Sequence, residues 1–364
     1  MAKKKKDITS DEISVASMIA SKFGKEVTIA LETLIPTYEI STGSVSLDCI
    51  IGGGIVSGIT EFFGGEGSGK TSLALGLIRN AQQQEIKTYY IDQERGLTAS
   101  LVNNIPGLDT KEFSKNILRP THGQECCDII EMIVKQSPRS IIVLDSIPAM
   151  ISSAQINESA SKEFYAVIPK ILSNFLPKIK TLLSRQEICL VVLNQLRMKM
   201  TSYGNPNDTP GGKALKFYSS FRIKTAMHTP TKTDNLEFFD GDQKIGHILK
   251  TTVVKLKYAP PFGEAKVPLM YRAKRVAIEA IEMAIEQDIV IKNKSNHKRF
   301  RYEGSEIILD EKGNMDLLIE NLKNMKVFME VLEKVGCVDF DRMIEDGDLT
   351  EEMVSEYIES KTKS

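Results

Sequence analysis

The clearest chemical motif in the sequence is a glycine-rich loop that ends in a lysine and a threonine. Residues 64–71 match the pattern G-x-x-x-x-G-K-[ST] and lie between a predicted strand and a predicted helix. In this context glycine N–H groups converge on a triphosphate, the lysine contacts its β- and γ-phosphates, and the threonine hydroxyl binds Mg²⁺. We therefore predict a nucleoside triphosphate site made of Gly64, Gly65, Glu66, Gly67, Ser68, Gly69, Lys70 and Thr71.

Carboxylates follow two other predicted strands. The apolar run 141–144 ends in Asp145, which a buried strand would deliver to the metal side of the phosphate site. Hydrolysis also needs a group that orients or deprotonates water, and Glu94 comes just beyond the strand that ends at Asp92. We favour Glu94 as this base and Asp92 as a structural carboxylate. The alternative is that both are solvated loop acids.

A long polar segment rich in glycine and proline follows the predicted strand 188–194. Gln195 stands at the strand end, where it could sense a γ-phosphate. Cations for phosphates, glycine N–H groups for close approach and an aromatic ring for stacking are what single-stranded nucleic acid binding requires. The cations and the ring of this segment are Arg197, Lys199, Lys213, Lys216 and Tyr203. A plain mobile surface loop is the alternative interpretation.

These motifs need a scaffold of alternating strands and helices. Near-continuous apolar strands separated by helices are typical of a mainly parallel β-sheet flanked by helices, so we predict an α/β fold with a phosphate-loop core. The predicted strands are 59–63, 88–92, 141–145 and 188–194, with a helix at 72–83 and an antiparallel addition at 247–258. Predicted helices at 275–287 and 315–335, with extended pieces at 300–302 and 306–309, form a small C-terminal lobe.

Changes in sequence character divide the chain into four parts. Residues 1–34 hold a basic tail and an amphipathic helix, whose apolar stripe packs either on its own domain or on a neighbouring subunit. The nucleotide-binding core spans 35–268 and the small α/β lobe spans 269–337. Residues 338–364 carry nine acids against three bases. We expect a solvated terminal helix there, and a regulatory acidic tail that competes with a polyanion is the alternative.

The composition excludes a histone-like polycation and a membrane-spanning protein. The 364 residues contain 47 Lys and Arg against 48 Asp and Glu, so nucleic-acid affinity must come from local clusters of charge. No apolar run approaches the roughly 18 residues that a membrane span needs. We expect reduced thiols in a cytoplasmic protein, because the sequence has no CxxC pattern and an odd number of cysteines. These are Cys49, Cys126, Cys127, Cys189 and Cys337.

Taken in order, these motifs resemble the bacterial RecA family of DNA strand-exchange recombinases. The resemblance runs from about residue 40 to about residue 304 and is most specific at 194–199, 204–206 and 211–218. The sequence departs from the family at Leu101, where the family has an adenine-stacking tyrosine, and at Thr98, where we expect an acidic base contact. These departures fit a divergent member from a bacterial cell or a phage-infected host.

The resemblance implies ATP and Mg²⁺ as cofactors and a helical filament of this chain on single-stranded DNA. The nucleotide would be sandwiched between neighbouring subunits. Residues 152–163 would be the first DNA-binding loop, without individual roles, and 194–217 the second. The second loop would use Arg197, Lys199, Tyr203, Asn205, Gly211, Gly212 and Lys213.

The resemblance also implies contacts between subunits. Phe217 would contact the adjacent subunit, and the N-terminal helix would be the assembly arm. Lys255 and Lys257 would reach the neighbour's phosphates in trans, as arginine fingers do. Ordinary strand-surface lysines are the alternative for this pair.

We therefore expect a DNA-dependent ATPase that pairs single-stranded DNA with homologous duplex DNA and exchanges strands. A single-strand-binding protein or a loader could assist it. The expected catalytic residues are Glu94, Lys70, Gln195, Lys255 and Lys257. Two alternatives stay open: a ring-forming helicase or translocase of the same fold, and a nucleotide-gated protein that coats single strands and hydrolyses little.

Overall fold

In the computed structural model the chain divides into two compact units, 1–38 and 39–364. The small unit contains helix α1 (Val15–Phe23), whose apolar side chains Val15, Met18 and Phe23 are exposed. The predicted amphipathic helix is therefore present, and its role in assembly stays a prediction. The described residues are 15–23, 38–103, 105, 107–156, 167–198, 207–228, 238–240, 243–258, 260–270, 280–281, 283–285, 287–293, 299–308, 315–325, 327–335, 343–344 and 349–362.

A large, mostly parallel sheet forms the centre of the second unit. The strands up to residue 270 are β1 (Gly58–Gly64), β2 (Lys87–Asp92), β3 (Ile117–Leu118), β4 (Ser140–Asp145), β5 (Ile188–Gln195), β6 (Arg197–Met198), β7 (Asn207–Asp208), β8 (Phe221–Met227), β9 (Phe238–Asp240), β10 (Gln243–Leu256) and β11 (Glu264–Met270). Strands β3-β2-β4-β5-β1-β8 run parallel in that order, and β10, β11 and β9 extend the β8 edge in antiparallel fashion. Strands β6 and β7 pair only with each other.

Helices cover both faces of this sheet. Before the C-terminal lobe they are α2 (Val45–Ile51), α3 (Lys70–Gln83), α4 (Ala99–Asn103), α5 (Thr110–Ser114), α6 (Gly123–Gln136), α7 (Ser153–Ile156), α8 (Val167–Arg185) and α9 (Gly212–Tyr218). Helices α6, α8 and α9 bury Cys126, Leu176 and Leu215 against Ile59 and Val192 of the sheet. Helix α3 packs on β1, β2, β4 and β5. The predicted α/β class, the four core strands and the antiparallel addition are confirmed.

The chain after β11 builds a second hydrophobic core. Its elements are β12 (Ile291–Lys292), β13 (Arg299–Tyr302), β14 (Ser305–Ile308), α10 (Met315–Asn324), α11 (Phe328–Val335) and α12 (Glu351–Thr362). The three strands form one antiparallel sheet, and the described residues between 280 and 285 are helical. Phe300, Leu322, Phe328 and Leu332 are buried in this core.

One predicted helix of the lobe is present as two helices. The predicted helix 315–335 is interrupted after Asn324, and the Val327 N–H donates to the Leu322 carbonyl in the turn that separates α10 from α11. No glycine or proline lies in 315–335, so the sequence lacks the usual signal of a break.

Part of the predicted acidic tail is folded rather than solvated. Met343 and Leu349 are 0% and 3% exposed in the core of the lobe, and Met353 and Tyr357 of α12 pack against that core. A few apolar residues among many acids are therefore enough to hold this segment on the lobe. The packed core extends past residue 337, and the other domain boundaries stay predictions.

The cysteines agree only partly with the expectation of reduced thiols. Cys126, Cys127 and Cys189 are buried free thiols, and burial raises the pKa of Cys127 to about 12. Cys49 is disulfide-bonded, which contradicts the prediction for this residue, while Cys337 lies outside the described residues. The spacing of the cysteines gave no signal of this bond, because Cys49 belongs to no recognisable cysteine motif. No helix in the described ranges is both long and apolar enough to cross a membrane.

We predict that Leu349→Ala destabilises the C-terminal lobe by about 2–5 kcal/mol, because it removes a buried side chain and leaves a cavity. Urea unfolding followed by hydrogen exchange of the lobe measures this loss. The matched control is Glu352→Ala, an exposed change three residues later. Equal stability of the two variants would contradict the packing of this segment.

Candidate nucleotide and nucleic-acid site

The predicted phosphate loop forms the turn between β1 and α3. Gly69 has a φ of 73°, and a Cβ there would lie 2.4 Å from a Leu249 methyl carbon, so this position requires glycine. A Cβ added to Gly65 or Gly67 would meet nothing within 4 Å, which leaves open space beside the loop backbone. Ser68 closes the turn by donating to the Gly65 carbonyl at 2.8 Å. The loop thus fits the backbone cradle that a triphosphate needs.

Lys70 folds over the loop that precedes it. Its ammonium donates to the Gly65 carbonyl at 2.6 Å and to the Gly64 carbonyl at 3.4 Å. Burial lowers the pKa of Lys70, and the carboxylate of Asp145 opposes that shift. Because desolvation penalises an isolated charge, an anionic ligand beside this ammonium would be favourable.

Asp145 ends β4 and faces α3. Its neighbour Leu144 packs on the opposite face, in the cluster formed with α6 and α8. One Asp145 oxygen accepts hydrogen bonds from the Tyr90 hydroxyl at 2.5 Å and from the Thr71 hydroxyl at 3.2 Å. Burial raises the pKa of Asp145, and the hydrogen bond from Tyr90 opposes that shift. The oxygens of Thr71 and Asp145 are of the kind that Mg²⁺ takes, so these residues fit the predicted metal role.

The two candidate carboxylates after β2 have different environments. Asp92 is fully buried and pairs with Arg119 at 2.9 Å. Glu94 is exposed, and its carboxylate accepts from the Ser146 hydroxyl at 2.9 Å. The Glu94 N–H also donates to the Asp145 carbonyl at 3.0 Å. This geometry supports a structural role for Asp92 and leaves Glu94 as the solvent-facing carboxylate beside Asp145, one of the two predicted metal ligands.

Strand β5 brings Gln195 to the phosphate loop. Gln195 pairs with Gly64 in the register of β1 and β5, and the Leu196 N–H donates to the Gly64 carbonyl at 3.0 Å. The residue predicted to sense a γ-phosphate therefore lies at the first residue of the loop predicted to bind that phosphate.

The side chain of Asn194 points to the face of the sheet opposite that of Gln195. Its hydrogen bonds connect three segments of the chain. Its amide nitrogen donates to the buried Glu61 carboxylate and to the Pro210 carbonyl, both at 2.9 Å. Its amide oxygen accepts from the Gln195 N–H at 3.0 Å. The other Glu61 oxygen accepts from the Arg222 guanidinium at 2.5 Å. Glu61 therefore connects the end of β5 with the start of β8, and Asn194 extends the connection to the carbonyl that precedes Gly211.

The predicted second DNA-binding loop is described at its two ends. Arg197 is exposed in β6 and pairs with Asp208 of β7, which closes the base of the segment. At the other end Gly211 and Gly212 have φ values of 96° and 77°, and the following Lys213 is exposed on α9. Lys199, Tyr203 and Asn205 lie outside the described residues. Of the first predicted loop, 152–163, the structure describes 152–156, which includes α7.

The predicted subunit-contact residues surround the end of α9. Phe217 is 70% exposed. The Lys255 ammonium donates to the carbonyls of Lys216 and Phe217, each at 2.8 Å. Lys257 is exposed immediately after β10. These side chains share one surface region, and their action on a neighbouring subunit stays a prediction.

The two departures from the family pattern lie at the start of α4. The Thr98 hydroxyl accepts from the Leu101 N–H at 3.2 Å, which caps the helix. Thr98 thus has a local structural use, and Leu101 is half-buried one turn later.

The roles of three residues at this site were not predicted from the sequence: Tyr90, Glu61 and Arg222. Tyr90 lies in an apolar strand and resembles a core residue, although a buried phenol oxygen requires a partner. Its pKa is raised well above the usual value by burial and by the adjacent Asp145. Glu61 was detectable, because it is a carboxylate within the apolar run Ile-Thr-Glu-Phe-Phe, and a buried charge must be paired.

Comparison with known proteins supports the resemblance. The chain matches the RecA N-terminal domain family over residues 12–275. Protein RecA of Sulfurovum sp. (strain NBC37-1) is 32% identical over 327 residues, which cover 87% of this chain and 90% of that protein. Protein RecA of Aquifex pyrophilus is 34% identical over 265 residues, which cover 71% of this chain and 73% of that protein. By this coverage and by its phosphate-loop fold, the chain belongs to the RecA family of recombinases.

Proposed function

We propose that this chain is a DNA-dependent ATPase that forms a filament on single-stranded DNA, pairs it with homologous duplex DNA and exchanges strands. The observation that carries this proposal is the junction of β1 and β5. There the phosphate loop begins at Gly64, Gln195 stands in register with it, and the predicted DNA-binding segment starts at the next residues. A nucleotide bound to the phosphate loop would change contacts that the loop shares with the predicted DNA-binding segment. DNA bound to that segment would change the same contacts.

The nucleotide-binding part of the site would act by positioning the phosphates and neutralising their charge. Backbone N–H groups of the phosphate loop and the Lys70 ammonium would hold the phosphates of ATP. The hydroxyl of Thr71 and the carboxylate of Asp145 would hold Mg²⁺, which when bound supplies further neutralisation of phosphate charge. Tyr90 orients Asp145 through the 2.5 Å hydrogen bond to its carboxylate.

Glu94 is the group that would direct water at the γ-phosphate. Its carboxylate is anchored by Ser146, the residue that follows Asp145, and it faces solvent. An anchored carboxylate beside a phosphate site can accept a proton from water and orient the oxygen for attack. Lys70, which contacts the phosphates themselves, would then stabilise the charge that develops during the transfer.

Asn194 is the group that would transmit the nucleotide state to the DNA segment. Its three hydrogen bonds join the Gln195 backbone, Glu61 and the Pro210 carbonyl. A shift of Gln195 toward a γ-phosphate therefore moves a side chain that holds the far end of the segment. The exposed cations Arg197 and Lys213 stand at the two ends of that segment, where phosphate contacts would dominate DNA affinity.

The proposed function is tested by a strand-exchange assay with ATP and Mg²⁺. We expect joint molecules between single-stranded DNA and a homologous duplex, none with a heterologous duplex, and none with Lys70→Ala. Unwinding of a forked duplex without any need for homology would instead indicate a translocase. Single-strand binding that Lys70→Ala leaves unimpaired, without pairing, would indicate a coating protein.

We predict that Glu94→Gln retains ATP binding and loses about 10²–10⁴-fold in turnover, because the amide cannot take a proton from water. Fluorescent nucleotide titration measures the binding, and phosphate release measures the turnover. Glu85→Gln, an exposed change at the other end of β2, is the matched control. Equal turnover of the two variants would refute the role of Glu94.

We predict that Asn194→Ala lowers the ratio of DNA-stimulated to basal ATP hydrolysis by about ten-fold, because it releases Pro210 and leaves Glu61 with fewer partners. The control is Asn80→Ala, another buried asparagine, whose amide donates to the Ser41 carbonyl at 2.7 Å. A coupling role requires that only Asn194→Ala changes the ratio. If both variants change it equally, the effect is one of general stability.

A further inference from the structure

A buried threonine of β8 lies beside the phosphate loop. Side chains alternate along this strand, and Phe221, Ile223 and Thr225 point to its buried face. Thr225 is 0% exposed and is the one polar residue of the three. A hydroxyl in such a place costs free energy unless it has a hydrogen-bond partner. The partner of Thr225 therefore indicates what this position is used for.

The partner of the Thr225 hydroxyl belongs to the phosphate loop. It is the hydroxyl of Ser68, which is also buried and lies 2.9 Å away. The strand register places Thr225 directly opposite Gly64, the first residue of the loop. A Cβ on Gly64 would lie 2.1 Å from the Thr225 carbonyl oxygen and 2.6 Å from its hydroxyl, so this close approach requires glycine. Thr225 thus contacts the loop at two points.

The supply of donors and acceptors fixes the direction of these hydrogen bonds. The Ser68 hydroxyl has one proton and donates it to the Gly65 carbonyl at 2.8 Å, since a carbonyl can only accept. The Ser68 oxygen therefore accepts from Thr225, and it also lies 3.4 Å from the Lys70 ammonium. The chain of hydrogen bonds from Thr225 through Ser68 ends at the Gly65 carbonyl. Lys70 donates to the same carbonyl at 2.6 Å.

We propose that Thr225 is a positioning residue for the triphosphate site, which it serves by holding Ser68 and thereby the shape of the phosphate loop. This inference rests on the proposed function, because it needs a loop that binds ATP. A loop that is already held in shape loses less free energy to ordering when a ligand binds. Removal of the Thr225 hydroxyl should therefore weaken ATP binding and leave turnover at saturating ATP unchanged.

The neighbouring strand supplies a matched control for this threonine. Thr251 of β10 stands opposite Thr225 in the strand register and is also 0% exposed. Its hydroxyl donates to the Ala265 carbonyl of β11 at 3.1 Å, which lies outside the phosphate loop. Valine at either position keeps the branched shape and removes one buried hydrogen bond. The two variants therefore differ in whether the lost bond belongs to the loop.

The experiment combines fluorescent ATP titration with steady-state ATP hydrolysis on single-stranded DNA. We expect Thr225→Val to raise the Kd and the KM for ATP about three- to ten-fold, the range for loss of one hydrogen bond, with kcat unchanged. Thr225→Ser keeps the hydroxyl and should restore the Kd. Thr251→Val should leave the Kd unchanged while losing about as much stability toward urea as Thr225→Val. Equal Kd values for the two valine variants would overturn the proposal, as would a loss confined to kcat.

The same variants separate this inference from the proposed function. If the unchanged protein binds and hydrolyses ATP but exchanges no strands, the proposed function fails, and the valine variants still decide the role of Thr225. If it exchanges strands and both valine variants bind ATP equally well, only the inference fails. Hydrogen exchange of residues 64–73 without nucleotide gives a second readout. It should be faster in Thr225→Val than in Thr251→Val, and equal rates would show that Thr225 does not hold the loop.

Discussion

The structure depends on one buried charge. Glu61 lies in the middle of β1 and is fully buried, so its carboxylate needs partners there. Its two oxygens accept from Asn194 and Arg222, and removal of Arg222, the charged partner, would leave an uncompensated charge at a cost of about 3–5 kcal/mol. This requirement fixes the relative positions of β1, β5 and β8. It therefore also fixes where Gln195 and the glycine-rich segment leave the sheet.

Successive side chains of a strand point to opposite faces of the sheet, so adjacent residues of one strand can serve two different sites. Asn194 points to the face of Glu61, and its neighbour Gln195 stands against Gly64 at the start of the phosphate loop. Asp145 and Leu144 divide in the same way, one toward Thr71 and the other into the core under α6 and α8. A parallel sheet can thus carry a nucleotide site on one face and the anchor of a DNA segment on the other. The adjacent residues Asn194 and Gln195 of β5 connect the two faces.

The sequence allowed prediction of the parts of the site that depend on local pattern. The phosphate loop, the strand that ends in Asp145 and the fold class follow from glycine spacing and apolar runs, and the structure has them. Contacts between distant segments left no such pattern. The hydrogen bond of Tyr90 to Asp145 and the ion pair of Glu61 with Arg222 join strands that are far apart in sequence. The break between α10 and α11 and the burial of Leu349 were missed for the same reason, since only tertiary packing determines them.

We propose that two copies of this chain bind one triphosphate between them, and that this contact determines how tightly the assembly binds DNA. The most direct measurement is electron cryo-microscopy of the protein on single-stranded DNA with Mg²⁺ and a non-hydrolysable ATP analogue. We expect a helical filament with density for the nucleotide between Lys70 of one subunit and Lys255 and Lys257 of the next. Closed rings, or single molecules whose nucleotide faces only solvent, would contradict it.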